Sequence, residues 1–216
     1  PSRRRGAIGR AGPRDPPVRA GRSPQPAAPP PEVAALSGSA VVASLAELVD
    51  ARLRDVKDFP SAGIVFKDVT PVLADAEVFS AVVRDMADRR RGTVDVVVGI
   101  EARGFIFGAA LAHELGLGFV PVRKAGKLPG ATHGLTYELE YGTATIEIHE
   151  DAFVAGARVL LVDDVLATGG TAEAACRLLE EAGAEVVAFE TLVELAFLAG
   201  RERLARYDVH ATVVVT

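Results

Sequence analysis

An open α/β fold, with a mostly parallel sheet flanked by helices, is predicted by three features of this 216-residue sequence. Short apolar runs rich in Val and Ile recur between segments of helical spacing, the pattern of strands buried on both faces of a sheet. One of them, Val159-Leu160-Leu161-Val162, delivers two carboxylates, Asp163 and Asp164, to its carboxyl end, where such sheets place their ligands. A Thr-Gly-Gly-Thr turn at 168–171 follows, opening a helix expected over residues 172–182.

Charge divides the chain unevenly. Residues 1–39 hold seven Arg against Asp15 and Glu32, about +5, and nine of the thirteen prolines, which leaves about −10 for the remainder of a chain of net charge −5. Such a segment buries too little apolar surface to offset its chain entropy, so 1–39 is read as a disordered extension and 40–216 as the folded domain. The triple Arg at 3–5 is not followed by an apolar stretch of signal-peptide length. No apolar run approaches the roughly 20 residues a membrane span needs, since residues 186–198 are interrupted by Glu190 and Glu194. Cys176, alone, excludes a disulfide framework and reads as a core residue in a cytoplasmic protein. The acidic body opposes nucleic-acid binding, and the four His are scattered without metal-ligand spacing.

In chain order, Ser44-Leu45-Ala46-Glu47 reads as a capping box starting a helix to about residue 56, with Leu45, Leu48, Val49 and Leu53 on one face. An extended piece over 64–69 should end at Thr70-Pro71. From Asp75 a second helix carries Val78, Phe79, Val82, Val83 and Met86, with Arg89 to Arg91 in a structural role at its end. Residues 94–98 form the next strand, turning through 99–104 into a helix over 105–115. Arg103 at that helix's start opposes the macrodipole, a position that calls for an anion beside it. A strand over 119–122 precedes residues 123–135, which, with three glycines, a proline and three cations, read as a lid loop that is neither helix nor strand. Strands over 136–140 and 143–149 should form an antiparallel hairpin turning at Tyr141-Gly142. A strand over 185–193, a short helix over 199–205 and a last strand over 209–215 complete the pattern.

Acids beside an anion cradle make sense together if the ligand is a sugar phosphate. Asp163 and Asp164 can accept from vicinal hydroxyls, while Ala167, Thr168, Gly169, Gly170 and Thr171 hold the phosphate, glycines letting the backbone come close. The run V-D-D-V-L-A-T-G-G-T resembles the phosphoribosyl pyrophosphate (PRPP) motif of type I phosphoribosyltransferases. Four more segments resemble the adenine-specific branch of that family: D-F-P-S-A-G-I-V-F-K-D-V-T-P-V-L at 58–73, E-A-R-G-F-I-F-G at 101–108, V-R-K-A-G-K-L-P-G at 122–130 and Y-E-L-E-Y-G at 137–142. The match runs from about residue 45 to the end; Lys57 stands where the family often has proline.

The resemblance implies the type I fold, with a small hood from the N-terminal part and a flexible catalytic-loop hairpin. It implies transfer of a ribosyl 5-phosphate from PRPP to N9 of adenine, giving AMP and pyrophosphate, with Mg²⁺ carried by PRPP rather than by protein ligands. Arg103, Lys124 and Lys127, with Arg123, would stabilise charge building on the leaving pyrophosphate. Glu140 is implied as acid/base near the purine N7 and Tyr141 as a lid contact. Phe66 would lie against the purine face, with backbone groups of Val65 and Lys67 reading its edge. A homodimer is implied, and neither nucleic acid nor membrane is an expected partner. Two alternatives stay open: a phosphoribosyltransferase for xanthine, hypoxanthine or orotate, and a regulator that keeps the fold to sense PRPP.

Overall fold

The capping box at the start of the domain forms as its spacing requires. The computed structural model describes residues 43–58, 62, 65–138 and 142–216, so the extension over 1–39 lies outside the described residues. Ser44 accepts from the Glu47 N–H and Glu47 accepts from the Ser44 N–H, opening helix α1 (Leu45–Asp50). The helix stops six residues short of the expected end. Arg54–Lys57 leaves it to form strand β1, which pairs antiparallel with β2 (Val65–Asp68) and is tied to it by Arg54–Asp68 at 2.5 Å and Lys67–Asp55 at 2.6 Å. Cross-strand charge pairing outweighs helical spacing here, and the two-stranded sheet is the expected hood. Helix α2 (Thr70–Ala74) replaces the expected chain break at Pro71, because proline fits the first helical turn, where its missing N–H costs nothing. Asp75 then caps α3 (Ala76–Arg90), accepting from Glu77 and Val78.

The main sheet has seven strands in the order β5-β6-β4-β3-β7-β8-β9. Strands β3 (Val96–Ile100), β4 (Gly118–Lys124), β7 (Arg158–Leu166), β8 (Glu185–Leu195) and β9 (Asp208–Val215) run parallel. The hairpin of β5 (Thr132–Glu138) and β6 (Thr143–His149) adds antiparallel at the β4 edge, in the register Glu138↔Thr143. Several expected boundaries move, that of the strand over 94–98 to Val96–Ile100 and that of the strand over 185–193 to Leu195. Strand pairing claims both ends of the region read as a lid loop over 123–135: β4 runs on to Lys124 and β5 begins at Thr132, leaving a turn between them. The expected helix over 199–205 contracts to the four-residue α6 (Gly200–Arg203), preceded by a 3-10 turn (Ala196–Leu198).

Alternation along β7 explains why the sheet is covered on both sides. Leu160 and Val162 pack into one core with Val49, Val82, Met86, Phe107 and Leu111 from α1, α3 and α4 (Gly104–Leu115). Val159 and Leu161 pack into a second core with Ala175, Leu178 and Leu179 of α5 (Gly170–Glu181) and with Leu135 and Ile148 of the hairpin. Cys176 lies in this second core, and burial pushes its thiol up to about 12, so it is a packing residue as expected. The chain therefore leaves β3 on one face and β7 on the other, and their carboxyl ends diverge at a topological switch point.

The Arg cluster ending α3 is structural. Glu190, fully buried on β8, accepts from Arg90 at 2.6 Å and from Arg89 at 3.0 Å. Glu190→Ala would leave the nearly buried Arg90 without this partner. The variant is expected to lose about 3 kcal/mol of stability in urea denaturation; a loss below about 1 kcal/mol would mean that solvent replaces the pair.

Candidate active site

The switch point opens as a cleft of about 490 Å³ lined from three directions. From the end of β3 come Glu101 and Arg103, from β7 come Asp163 and Asp164 followed by residues 165–172, and from β4 come Arg123 and Lys124. Phe66 of the hood and Tyr137 of the hairpin close its sides. Structure and sequence thus agree on gathering Phe66, Arg103, Arg123, Lys124, Asp163, Asp164 and the 167–171 turn at one place. Lys127 reaches its edge through Glu101. Val65 and Lys67 flank Phe66 on β2, Val65 half-exposed and Lys67 paired with Asp55. Glu140 and Tyr141 lie outside the described residues.

Each acid has a distinct environment. Asp164 is nearly buried and forms an ion pair with Arg103, whose guanidinium also sits 5.3 Å from the centre of the Phe66 ring. The anion that the Arg103 position calls for is therefore, in this structure, a carboxylate of the protein itself. Asp163 accepts the Asp164 N–H at 2.9 Å. Burial, and then the adjacent Asp164 charge, hold its carboxyl well above the usual range. Both acids belong to β7 itself, a step inside the strand end expected for them.

Behind the acids, Gly104 starts α4 so close to β7 that a Cβ there would stand 2.7 Å from the Val162 carbonyl and 3.0 Å from Asp163. In the 167–171 turn the two glycines differ. Gly169 caps α5 at φ +80°, and a Cβ on it would lie 2.5 Å from the Gly200 carbonyl, so packing against the α6 turn demands that glycine. Gly170 has open space beside it and is the one that leaves the backbone accessible to an anion. The first residues of the twelve-residue α5 line the cleft, and the first N–H groups of a helix have no intrahelical partner.

Two lining residues were not singled out from sequence. Tyr137 places its hydroxyl 3.1 Å from that of Thr171, joining the hairpin to the turn. Glu101 accepts from Arg123 at 3.0 Å and Lys127 at 2.9 Å. Both lie within segments already quoted for their family resemblance, and that was the only signal; neither spacing nor periodicity marks them.

Comparison with known proteins follows this geometry. Residues 72–215 match the phosphoribosyl transferase domain model. An adenine phosphoribosyltransferase of Acidothermus cellulolyticus is 60% identical over 163 residues, covering 75% of this chain and 92% of the relative. The chain belongs to the adenine phosphoribosyltransferase family. Among solved members, that of Thermoanaerobacter pseudethanolicus is 48% identical with a TM-score of 0.76, over 80% of this chain and all (100%) of the other. That of Saccharomyces cerevisiae, complexed with an imino-altritol bisphosphate and adenine, is 41% identical with a TM-score of 0.75, over 79% and 99% of the two chains. The residues 1–39 extension precedes the matched domain region.

A methyl group on Gly200 would collide with the Ala167 carbonyl that supports the turn. Gly200→Ala is expected to weaken AMP binding about tenfold by calorimetry, through displaced backbone donors. Unchanged affinity would show that the turn is not held by α6.

Proposed function

We propose that this chain transfers the 5-phosphoribosyl group of PRPP to N9 of adenine, forming AMP and pyrophosphate in purine salvage. The observation that carries the reading is the continuity of Asp163 and Asp164 with the 167–171 turn on one side of a cleft whose other side is cationic. The family relationship selects adenine as the acceptor.

Binding begins at the two ends of the sugar phosphate. Backbone donors of 168–171, with the hydroxyls of Thr168 and Thr171, hold the 5-phosphate and fix the ribose. Asp163 and Asp164 accept from its hydroxyls, and the negative charge beside the ring favours the positive charge that grows there as the C1–O bond breaks. For Asp164 this requires exchange of its Arg103 partner, which frees a guanidinium for the leaving pyrophosphate. Arg123, Lys124 and Lys127 complete that cationic wall. Phe66 then offers its face to the purine in place of the Arg103 cation, with Val65 and Lys67 backbone groups at the base's edge.

Glu140 and Tyr141, next to the described hairpin, carry the roles the resemblance gives them: acid/base at N7 and lid contact. Among the described residues no three His, Cys, Asp or Glu side chains gather as a metal cage. Mg²⁺, carried by PRPP oxygens as the resemblance implies, would supply charge neutralisation on the leaving group. The proposal also takes residues 40–216 as the catalytic domain, working as a cytoplasmic homodimer. No described helix is long and apolar enough to cross a membrane.

Incubation with labelled adenine, PRPP and Mg²⁺ should give AMP, and failure with adenine alongside success with another base would reassign the acceptor. Asp164→Ala is expected to lower kcat/KM for PRPP about a hundredfold, and Glu140→Ala to reduce kcat by a similar factor with little change in adenine binding. Steady-state kinetics that match the parent would remove the assigned role of either residue.

A further inference from the structure

The end of β4 and the turn after it concentrate three cations within five residues, and like charges so close repel unless an anion lies among them. Glu101 is that anion. Its Oε1 accepts from Arg123 Nη2 at 3.0 Å and from Lys127 Nζ at 2.9 Å, while its Oε2 accepts from the Lys124 N–H at 3.1 Å. Arg123 Nη1 donates in turn to the Lys127 carbonyl at 2.9 Å, so the segment is wrapped around one carboxylate. A second carboxylate, Glu147, holds the Gly126 N–H at 3.0 Å from the hairpin side. The Glu101 side chain is only 12% exposed, and Arg123, then Lys127, hold its carboxyl down to about 2, so it stays ionised throughout the working range.

Glu101 stands at the end of β3, two residues before Arg103, on the cationic wall of the cleft. A fixed negative charge there repels an incoming polyanion, so its presence calls for a gain elsewhere. That gain is order. Arg and Lys lose considerable rotamer freedom when they grip a ligand, and a carboxylate that already gathers them removes part of that cost before binding.

We propose that Glu101 is a positioning residue for the leaving pyrophosphate: before PRPP binds it takes that anion's place and keeps Arg123 and Lys127 converged for transfer to it. The inference deepens the reaction proposed above and rests on it for the identity of the ligand. Release of the two cations requires no covalent change, only exchange of one oxyanion for another with more negative charge.

The test compares parent, Glu101→Gln and Glu101→Asp. Glu101→Gln keeps the shape and removes the charge, and is expected to raise KM for PRPP about tenfold, with KM for adenine unaltered. Glu101→Asp keeps the charge and should recover part of the loss. Limited trypsinolysis supplies a readout that needs no turnover: cleavage after Lys124 and Lys127 in the ligand-free protein should accelerate several-fold in Glu101→Gln and be suppressed by pyrophosphate in the parent. An unchanged or lowered KM for PRPP, or equal tryptic rates, would overturn the proposal. Absence of adenine transfer in the parent would instead sink the reaction, leaving the tryptic comparison to judge Glu101.

Discussion

Ionised groups placed at the end of a central strand must be compensated, and the cost of burying Asp163 and Asp164 on β7 organises the surroundings. Desolvation of two adjacent carboxylates is expensive in any medium less polar than water. One of them meets that cost by holding its proton more tightly, the other by pairing with Arg103. The pairing works only because α4 starts against β7 at Gly104, where a side chain would not fit. Thus the β3 turn, the hood residue Phe66 beneath the Arg103 guanidinium, and the acids of β7 form one electrostatic unit.

The same logic repeats at the opposite wall. Glu101 stands to Arg123 and Lys127 as Asp164 stands to Arg103. Each cation of these pairs rests on a carboxylate of the chain, and a ligand rich in phosphate oxygens and hydroxyls would have a partner to offer every group it displaces. Binding is then an exchange of charge-assisted hydrogen bonds rather than a creation of them, which favours ligands that match both walls at once. A free phosphate matches one wall only. PRPP spans both.

Much of this was legible in the sequence because it depended on local pattern. The buried β7 run, the helix after the 168–171 turn and the Ser44 capping box follow from residue order within one element. What could not be read depended on partners distant in the chain. Residues 54–57 have helical neighbours but are drawn into β1 by Asp68 and by the Lys67 opposite, and the supposed lid over 123–135 loses its ends to pairing with β6. Gly169 looked like a ligand-side glycine, yet the contact that demands it is Gly200, more than thirty residues on in the chain. The position of Arg103 at a helix start calls for an anion, but that the anion beside it is Asp164 is a tertiary fact.

The account stands on one exchange: a sugar phosphate takes the acids and the turn together, and Arg103 leaves Asp164. A crystal structure with AMP bound measures this directly. The account predicts the phosphate against the N–H groups of 168–171, both ribose hydroxyls on Asp163 and Asp164, and the guanidinium of Arg103 turned away from Asp164. Nucleotide bound elsewhere, or a ribose seated in the cleft while Arg103 still holds Asp164, would contradict it.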